Sequence, residues 1–294
     1  VPLIQEYDRR FTYEEAVDLV LEGLKPLGDE YINLLKKGFS SRWIDVYENR
    51  GKTSGAYSWG AYGVHPYVLL NFQGTINDVF TIAHEMGHSL HTYYSNAEQP
   101  YVYASYKIIL AEVASTCNEA ILMDYLLKNS TDRKEKLYLL NHFLEEFRTT
   151  VLRQVMFAEF EKIAHEMAER GEALTAQSLG QKYYELNKLY YGNEMVVDED
   201  ISYEWARIPH FYRSFYVYKY ATGFSAAIAI SQMIMNEGRA AVERYKEFLK
   251  SGSSDYPLNI LKKAGVDLSV PKPIDDALNV FEKLLEEFER ETLK

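Results

Sequence analysis

The chain has 294 residues, 47% of them hydrophobic, which is enough to bury a sizeable core and excludes a disordered chain. Its formal net charge of −11, with basic runs no longer than pairs such as Lys262-Lys263, excludes a nucleic-acid partner. A single cysteine, Cys117, excludes an internal disulfide and makes the cytoplasm the expected compartment.

The first residues lack a basic start followed by an apolar run, so no leader peptide is expected. Near the start, Thr12 with Glu15 reads as a capping box, and Ala16, Val17, Val20 and Leu21 follow at helical spacing. A second helix is expected over Glu30–Lys37. Residues 51–74 change character: Gly51, Gly55, Gly60, Gly63 and Gly74 alternate with Tyr and Trp, and Tyr67–Phe72 reads as a strand with a partner near Ala56–Trp59. The next helix is expected to be capped by Asn77 or Asp78 and to reach Tyr94. Further helices are expected over 101–128, 133–170 and 175–191, then an acidic loop over 193–209, then helices over 211–236 and 238–250. A proline-containing loop near 266–273 leads to a last amphipathic helix, Asp275–Thr292. Cys117 lies inside an apolar helical run and reads as a buried thiol, not a nucleophile. The longest weakly polar stretch, Ala221–Met235, is too short to span a bilayer, so no membrane partner is expected. No repeat or linker divides the chain.

The segment His84-Glu85-Met86-Gly87-His88 carries the chemistry. Helical residues four apart share a face, about 5–6 Å between Cβ atoms, so His84 and His88 can grip one Zn²⁺ ion. Glu85 stays beside that ion and can take a proton from the water it holds. Five-residue patterns of this kind also arise by chance in helical chains. Here the pattern sits on a strong helix, behind a β segment able to offer a peptide an edge, and ahead of a suitable third ligand.

A catalytic zinc takes three protein ligands and keeps a fourth position open. His91, three residues after His88, is one candidate for the third. The form of the motif that uses a glycine turn needs Gly at 91 and His at 94, and His91 and Tyr94 exclude it. Glu112 is preferred, because an acid inside the apolar run Leu110–Ser115 needs a partner such as a metal. Glu119, two turns along the same face, can hydrogen-bond a ligand histidine. The plain alternative for both acids is a solvated helix face. Further on, Pro209–Tyr220 gathers His210 with Tyr212, Tyr216, Tyr218 and Tyr220. Neutral donors of this type stabilise the oxyanion formed when a peptide bond is attacked. Most of these rings suit a helical core, whereas His210 and at least one tyrosine are read as functional.

These residues carry a family resemblance. His84–His91, Glu112 with Ser115 and Glu119, Gly60–Phe72, His210–Gly223 and Ile260–Asp267 together resemble the oligoendopeptidase F branch of the thimet-oligopeptidase-like zinc peptidases, over nearly the whole chain. The resemblance implies a mostly α, multi-helix zincin-type catalytic domain over 1–294, with a small β-sheet or hairpin (about 55–73) before the metal-binding helix. It implies one Zn²⁺ held by His84, His88 and Glu112, with Glu85 as general base. It assigns substrate and oxyanion contacts to His210 and a tyrosine, Tyr218 first, then Tyr212 and Tyr216. It assigns pairing with the substrate backbone to Gly60–Phe72, including Gly60, Tyr62 and Gly63. Peptides are the implied substrates. Family members are considerably longer, with an extra N-terminal helical region, so the implied partner is that missing half or a second copy of the chain.

The expected function is zinc-dependent hydrolysis of internal bonds in short peptides, in the cytoplasm. Two alternatives stand beside it. A metal carboxypeptidase would need a cation for the terminal carboxylate, for which Arg207 and Arg213 are the candidates. A non-catalytic peptide-binding subunit of the same fold would have no use for Glu85.

Overall fold

The computed structural model describes Ile4 and residues 7–293. In chain order it has α1 (Tyr13–Gly23), α2 (Asp29–Ser40), β1 (Ile44–Asp45), β2 (Tyr57–Trp59), β3 (Tyr67–Leu69), α3 (Ile76–Glu98), the short α4 (Tyr101–Ala104), α5 (Ile108–Asn129) and α6 (Arg133–Phe147). A π-helical turn, Arg148–Leu152, leads to α7 (Arg153–Glu169) and α8 (Ala176–Tyr191). Two 3₁₀ segments, Glu199–Arg207 and Pro209–Tyr212, precede α9 (Tyr218–Glu237), α10 (Arg239–Lys250), α11 (Pro257–Lys263) and α12 (Lys272–Thr292). The expected mostly α class with a small sheet ahead of the histidine helix is what the structure has. Among the described residues, no helix is long and apolar enough to cross a membrane.

The described residues fall into two compact units. Those up to Leu144 and from Gly223 onward form one, and Glu145–Thr222 form the other. In the first unit, Thr12 caps α1 as expected: its hydroxyl accepts from the Glu15 amide at 3.2 Å, and Glu15 accepts from the Thr12 amide at 2.8 Å. The three strands form a sheet in the order β1-β3-β2, with β1 parallel and β2 antiparallel to β3. β2 is therefore an edge. Val68 of β3 is buried, while Trp59 and Tyr67, opposite each other in the register, are exposed. The partner strand near 56–59 matches expectation; β1 is an addition, too short to show an alternating pattern.

α3 is capped two or three residues earlier than expected. Its cap is Thr75, whose hydroxyl accepts from the Asp78 amide at 3.2 Å while Asp78 accepts from the Thr75 amide at 2.7 Å. α3 buries Val79, Ile82, Ala83, Met86 and Leu90 and packs on α5. Gly87 permits the contact: a Cβ there would lie 2.6 Å from Ser115 Cα and 2.8 Å from the Ala114 carbonyl oxygen, both backbone atoms of α5. The helix expected over 101–128 is broken between Ala104 and Ile108, where Ser105 and Lys107 are extended and the Tyr106 ring is drawn onto His91.

In the second unit, Met156, Phe157, Phe160, Tyr183, Leu186, Ile208 and Val217 form the core. The helix expected over 133–170 contains the π turn, beside which the Thr149 hydroxyl takes the Glu145 carbonyl at 2.7 Å. The acidic stretch expected as loop contains the 3₁₀ segment Glu199–Arg207. Here Glu204 accepts from Tyr183 and Arg153, each at 2.6 Å. The helix expected from 211 begins only at Tyr218, because Phe215 has φ +56° and interrupts any helical path.

Because the atoms facing Gly87 belong to backbone, Gly87→Ala has no flexible neighbour to displace. It should lower stability by about 1–3 kcal/mol, as overpacking does, measured as a lower urea midpoint at unchanged m-value. It should also move Glu112 away from His84 and His88, because α5 carries Glu112. An unchanged midpoint would show that the two helices can part freely.

Candidate metal centre

α3 presents His84 and His88 one turn apart, with ring centroids 4.8 Å from each other. α5 brings Glu112 to them. Its Oε2 lies 3.3 Å from His84 Nε2 and 3.5 Å from His88 Nε2. One donor atom from each of the three residues lies within 4.8 Å of the others. A tetrahedral zinc ion with ligands at about 2.0–2.1 Å spaces its donors roughly 3.3–3.4 Å apart, so the two separations from Glu112 to the imidazoles suit such an ion.

The groups around these donors fix their direction. His84 Nδ1 lies 2.9 Å from Glu119 Oε2, which leaves Nε2 aimed at Glu112. Ser115 donates to Glu112 Oε2 at 3.1 Å. Asn118, fully buried, donates to the Ala83 carbonyl at 2.9 Å and accepts from Tyr31 at 2.9 Å. In the sequence Ser115 stands out only through the family resemblance, and Asn118 gives no signal, since a buried asparagine looks like any polar helix residue.

Glu85 is 6% exposed, and its Oε2 has no hydrogen-bond partner among the protein atoms. A buried carboxylate oxygen is costly to leave unpaired, and Glu85 sits on the same helix between His84 and His88. The donor set and this oxygen together fit a zinc ion with a reacting molecule beside it.

Electrostatics follow from the packing. Burial opposes a charge on His84, but Glu119 and Glu112 outweigh it and hold its pKa well above the ordinary value. Burial likewise opposes the charge on Glu112, and the imidazoles of His84 and His88 overcome it, holding that carboxyl well below the usual range. Glu85 is pushed up by burial, with partial relief from the two histidines. His91 is different: it is buried, stacked 3.6 Å from the Tyr106 ring, and depressed to about 3 by burial. It is a neutral packing residue outside the donor cluster, while Glu112 is inside it.

Gly60, Tyr62 and Gly63 follow the edge strand β2. A Cβ on Gly60 would lie 2.3 Å from Thr92 Cγ2 of α3, Gly63 has φ +82°, and Tyr62 donates to the Gln99 carbonyl at 3.1 Å. β2 itself is tied to α3 by Ser58 and Ser89, whose hydroxyls are 2.8 Å apart.

In the second unit, His210 stacks on Tyr216 with centroids 5.5 Å apart and pairs through Nε2 with the Tyr220 hydroxyl at 3.2 Å. Tyr220, not among the favoured candidates, is thus the hydroxyl that meets His210. Tyr212 is 84% and Tyr218 40% exposed, and neither is part of this stack.

A helix offering two imidazoles and a buried acid, met by a carboxylate from the helix packed on it, is the arrangement that hydrolytic metal centres of the peptidase type use. The comparisons agree with that class. Residues 3–280 match peptidase family M3, and the chain belongs to that family. It is 55% identical over 293 residues to oligopeptidase PepF of Bacillus subtilis, covering 100% of this chain and 44% of that protein. It is 48% identical over 287 residues to the chromosomal oligoendopeptidase F of Lactococcus lactis subsp. cremoris, covering 98% of this chain and 48% of that one. The crystal structure of oligoendopeptidase-F from Enterococcus faecium superposes with a TM-score of 0.76 at 38% identity, covering 99% of this chain and 45% of that one. The chain therefore spans about half the length of the relatives it matches.

Removing the carboxylate that orients His84 should loosen the metal before it loosens the fold. Glu119→Ala should weaken zinc binding about 10–100-fold in a chelator competition, and Glu119→Gln, which keeps an acceptor, should lose less. Equal zinc affinity in Glu119→Ala would mean that His84 needs no such support.

Proposed function

We propose that 1–294 acts as one catalytic domain of a zinc-dependent endopeptidase that hydrolyses internal bonds of short peptides. The observation that carries this reading is the convergence of His84, His88 and Glu112 donors within 4.8 Å beside the unpartnered, buried Oε2 of Glu85. His84, His88 and Glu112 would hold one zinc ion. When bound, zinc would polarise the scissile carbonyl and make the attacking water more acidic. Glu85 takes the proton of that water and returns it to the departing amine. Burial raises its pKa, which makes it a stronger base than a solvated glutamate. Glu119 holds the His84 ring so that Nε2 stays available.

Substrate contacts follow from the family resemblance and from local geometry. An edge strand, β2, with Gly60, Tyr62 and Gly63 beyond it, suits pairing with an extended peptide backbone. His210, with Tyr218, Tyr212 and Tyr216, is assigned to substrate and oxyanion contact, and Tyr220 joins them because it is the hydroxyl paired with His210. The names of the relatives, oligopeptidase and oligoendopeptidase, support a preference for short peptides.

Two results test this. Glu85→Gln should reduce cleavage of a quenched fluorescent peptide by about 10²–10⁴-fold while zinc content stays at one ion per chain. Full activity in that variant would remove Glu85 as the base. In addition, a peptide blocked at both ends should be cut as well as its free counterpart. Activity confined to free C-termini would favour a carboxypeptidase, and zinc binding without any turnover would favour a peptide-binding subunit.

A further inference from the structure

The segment between the second 3₁₀ turn and α9 is anchored at two points. Phe211 packs against Phe157 and Phe160, with centroids 5.5 and 5.3 Å away, and Val217 is fully buried in the same core. Between these anchors, Tyr212, Arg213, Ser214 and Phe215 are exposed. The arch closes only because Phe215 adopts φ +56°, a left-handed conformation that bulky side chains avoid. A strained residue of this kind persists only where its surroundings hold it.

Two groups of α7 hold it. Glu161 is 5% exposed, and its Oε1 accepts the Phe215 amide at 2.5 Å. One turn on, the His165 ring stacks on the Phe215 ring with centroids 4.6 Å apart. A buried carboxylate that reaches 54 residues along the chain to bind one amide is an expensive way to fill space. The residue immediately after the strained one is Tyr216, whose ring carries the His210 stack. Tyr216 also packs edge-on against Tyr220 at 5.7 Å and lies under the Lys219 ammonium at 4.7 Å.

We propose that Glu161 is a positioning residue: by fixing the Phe215 amide it sets the orientation of the His210, Tyr216 and Tyr220 rings. Its effect on catalysis rests on the reading of those rings as substrate contacts. Its effect on the arch does not. Glutamine keeps a side-chain oxygen that can accept the same amide, whereas alanine leaves the amide and the left-handed turn without support.

The experiment compares wild type, Glu161→Ala and Glu161→Gln in the full protein. Amide exchange in the wild type should show Phe215 protected while Arg213 and Ser214 exchange freely. Trypsin cleavage after the exposed Arg213 should be at least tenfold faster in Glu161→Ala than in wild type, and close to wild type in Glu161→Gln. With an end-blocked fluorescent peptide, kcat should fall at least tenfold in Glu161→Ala, with zinc content unchanged and most activity kept by Glu161→Gln. An unprotected Phe215 amide in the wild type would overturn the proposal, whether or not either variant folds. So would a folded Glu161→Ala with wild-type kcat, or a Glu161→Gln no better than the alanine variant. A wild type that cuts no peptide would instead sink the peptidase reading, and exchange and trypsin cleavage would still decide the clasp.

Discussion

The crossing of α3 and α5 at Gly87 sets the distance between metal donors that lie far apart in the chain. Three contacts run in reverse order along the two helices: Asn118 meets Ala83, Ser115 meets Gly87, and Glu112 meets His88. The helices are therefore antiparallel, and a shift by one turn, about 5.4 Å, would separate every pair at once. No single side chain holds the register alone. The absence of a side chain at 87 lets the backbones touch, and the buried Asn118 locks the sliding direction by tying α5 to the Ala83 carbonyl.

The same crossing concentrates charge. Glu85, Glu112 and Glu119 surround two imidazoles, an excess of carboxylate that would repel itself without a compensating cation. A proton on His84 supplies part of that compensation, which is why its pKa is held up. A divalent cation held by His84, His88 and Glu112 would supply it more fully, so metal binding and fold stability would be coupled here. Glu85 occupies a separate position in this balance. It is buried like a structural residue, and its Oε2 has no hydrogen-bond partner among the protein atoms.

The convergence of His84, His88 and Glu112 was legible in the sequence because helical periodicity is a reliable ruler. Residues 84 and 88 had to share a face, and an acid inside an apolar run had to find a partner. Glu119 was legible for the same reason, seven residues beyond Glu112 on the same face. What periodicity does not encode is the approach of one helix to another, so Asn118, buried against a carbonyl of α3, was invisible. β1 was missed because two residues cannot show an alternation. The break before α5 was missed because it depends on the Tyr106 ring meeting His91, a contact between elements.

The stretch from 211 to 217 failed for a different reason. Its aromatic residues fall at spacings that suit a helix, and local preference favours one. The structure overrides that preference with a single left-handed residue, paid for by a carboxylate from α7. A helix here would have rotated each of these rings by a fixed angle from its neighbour, about 100° per residue, and His210 and Tyr216 would not stack. The irregular arch lets two residues six apart lie face to face and brings the Tyr220 hydroxyl to His210 Nε2. Such a departure from local consistency, sustained by a buried charge and ending in a cluster of hydrogen-bond donors, is where a fold gives up regularity to place side chains that regular structure cannot reach.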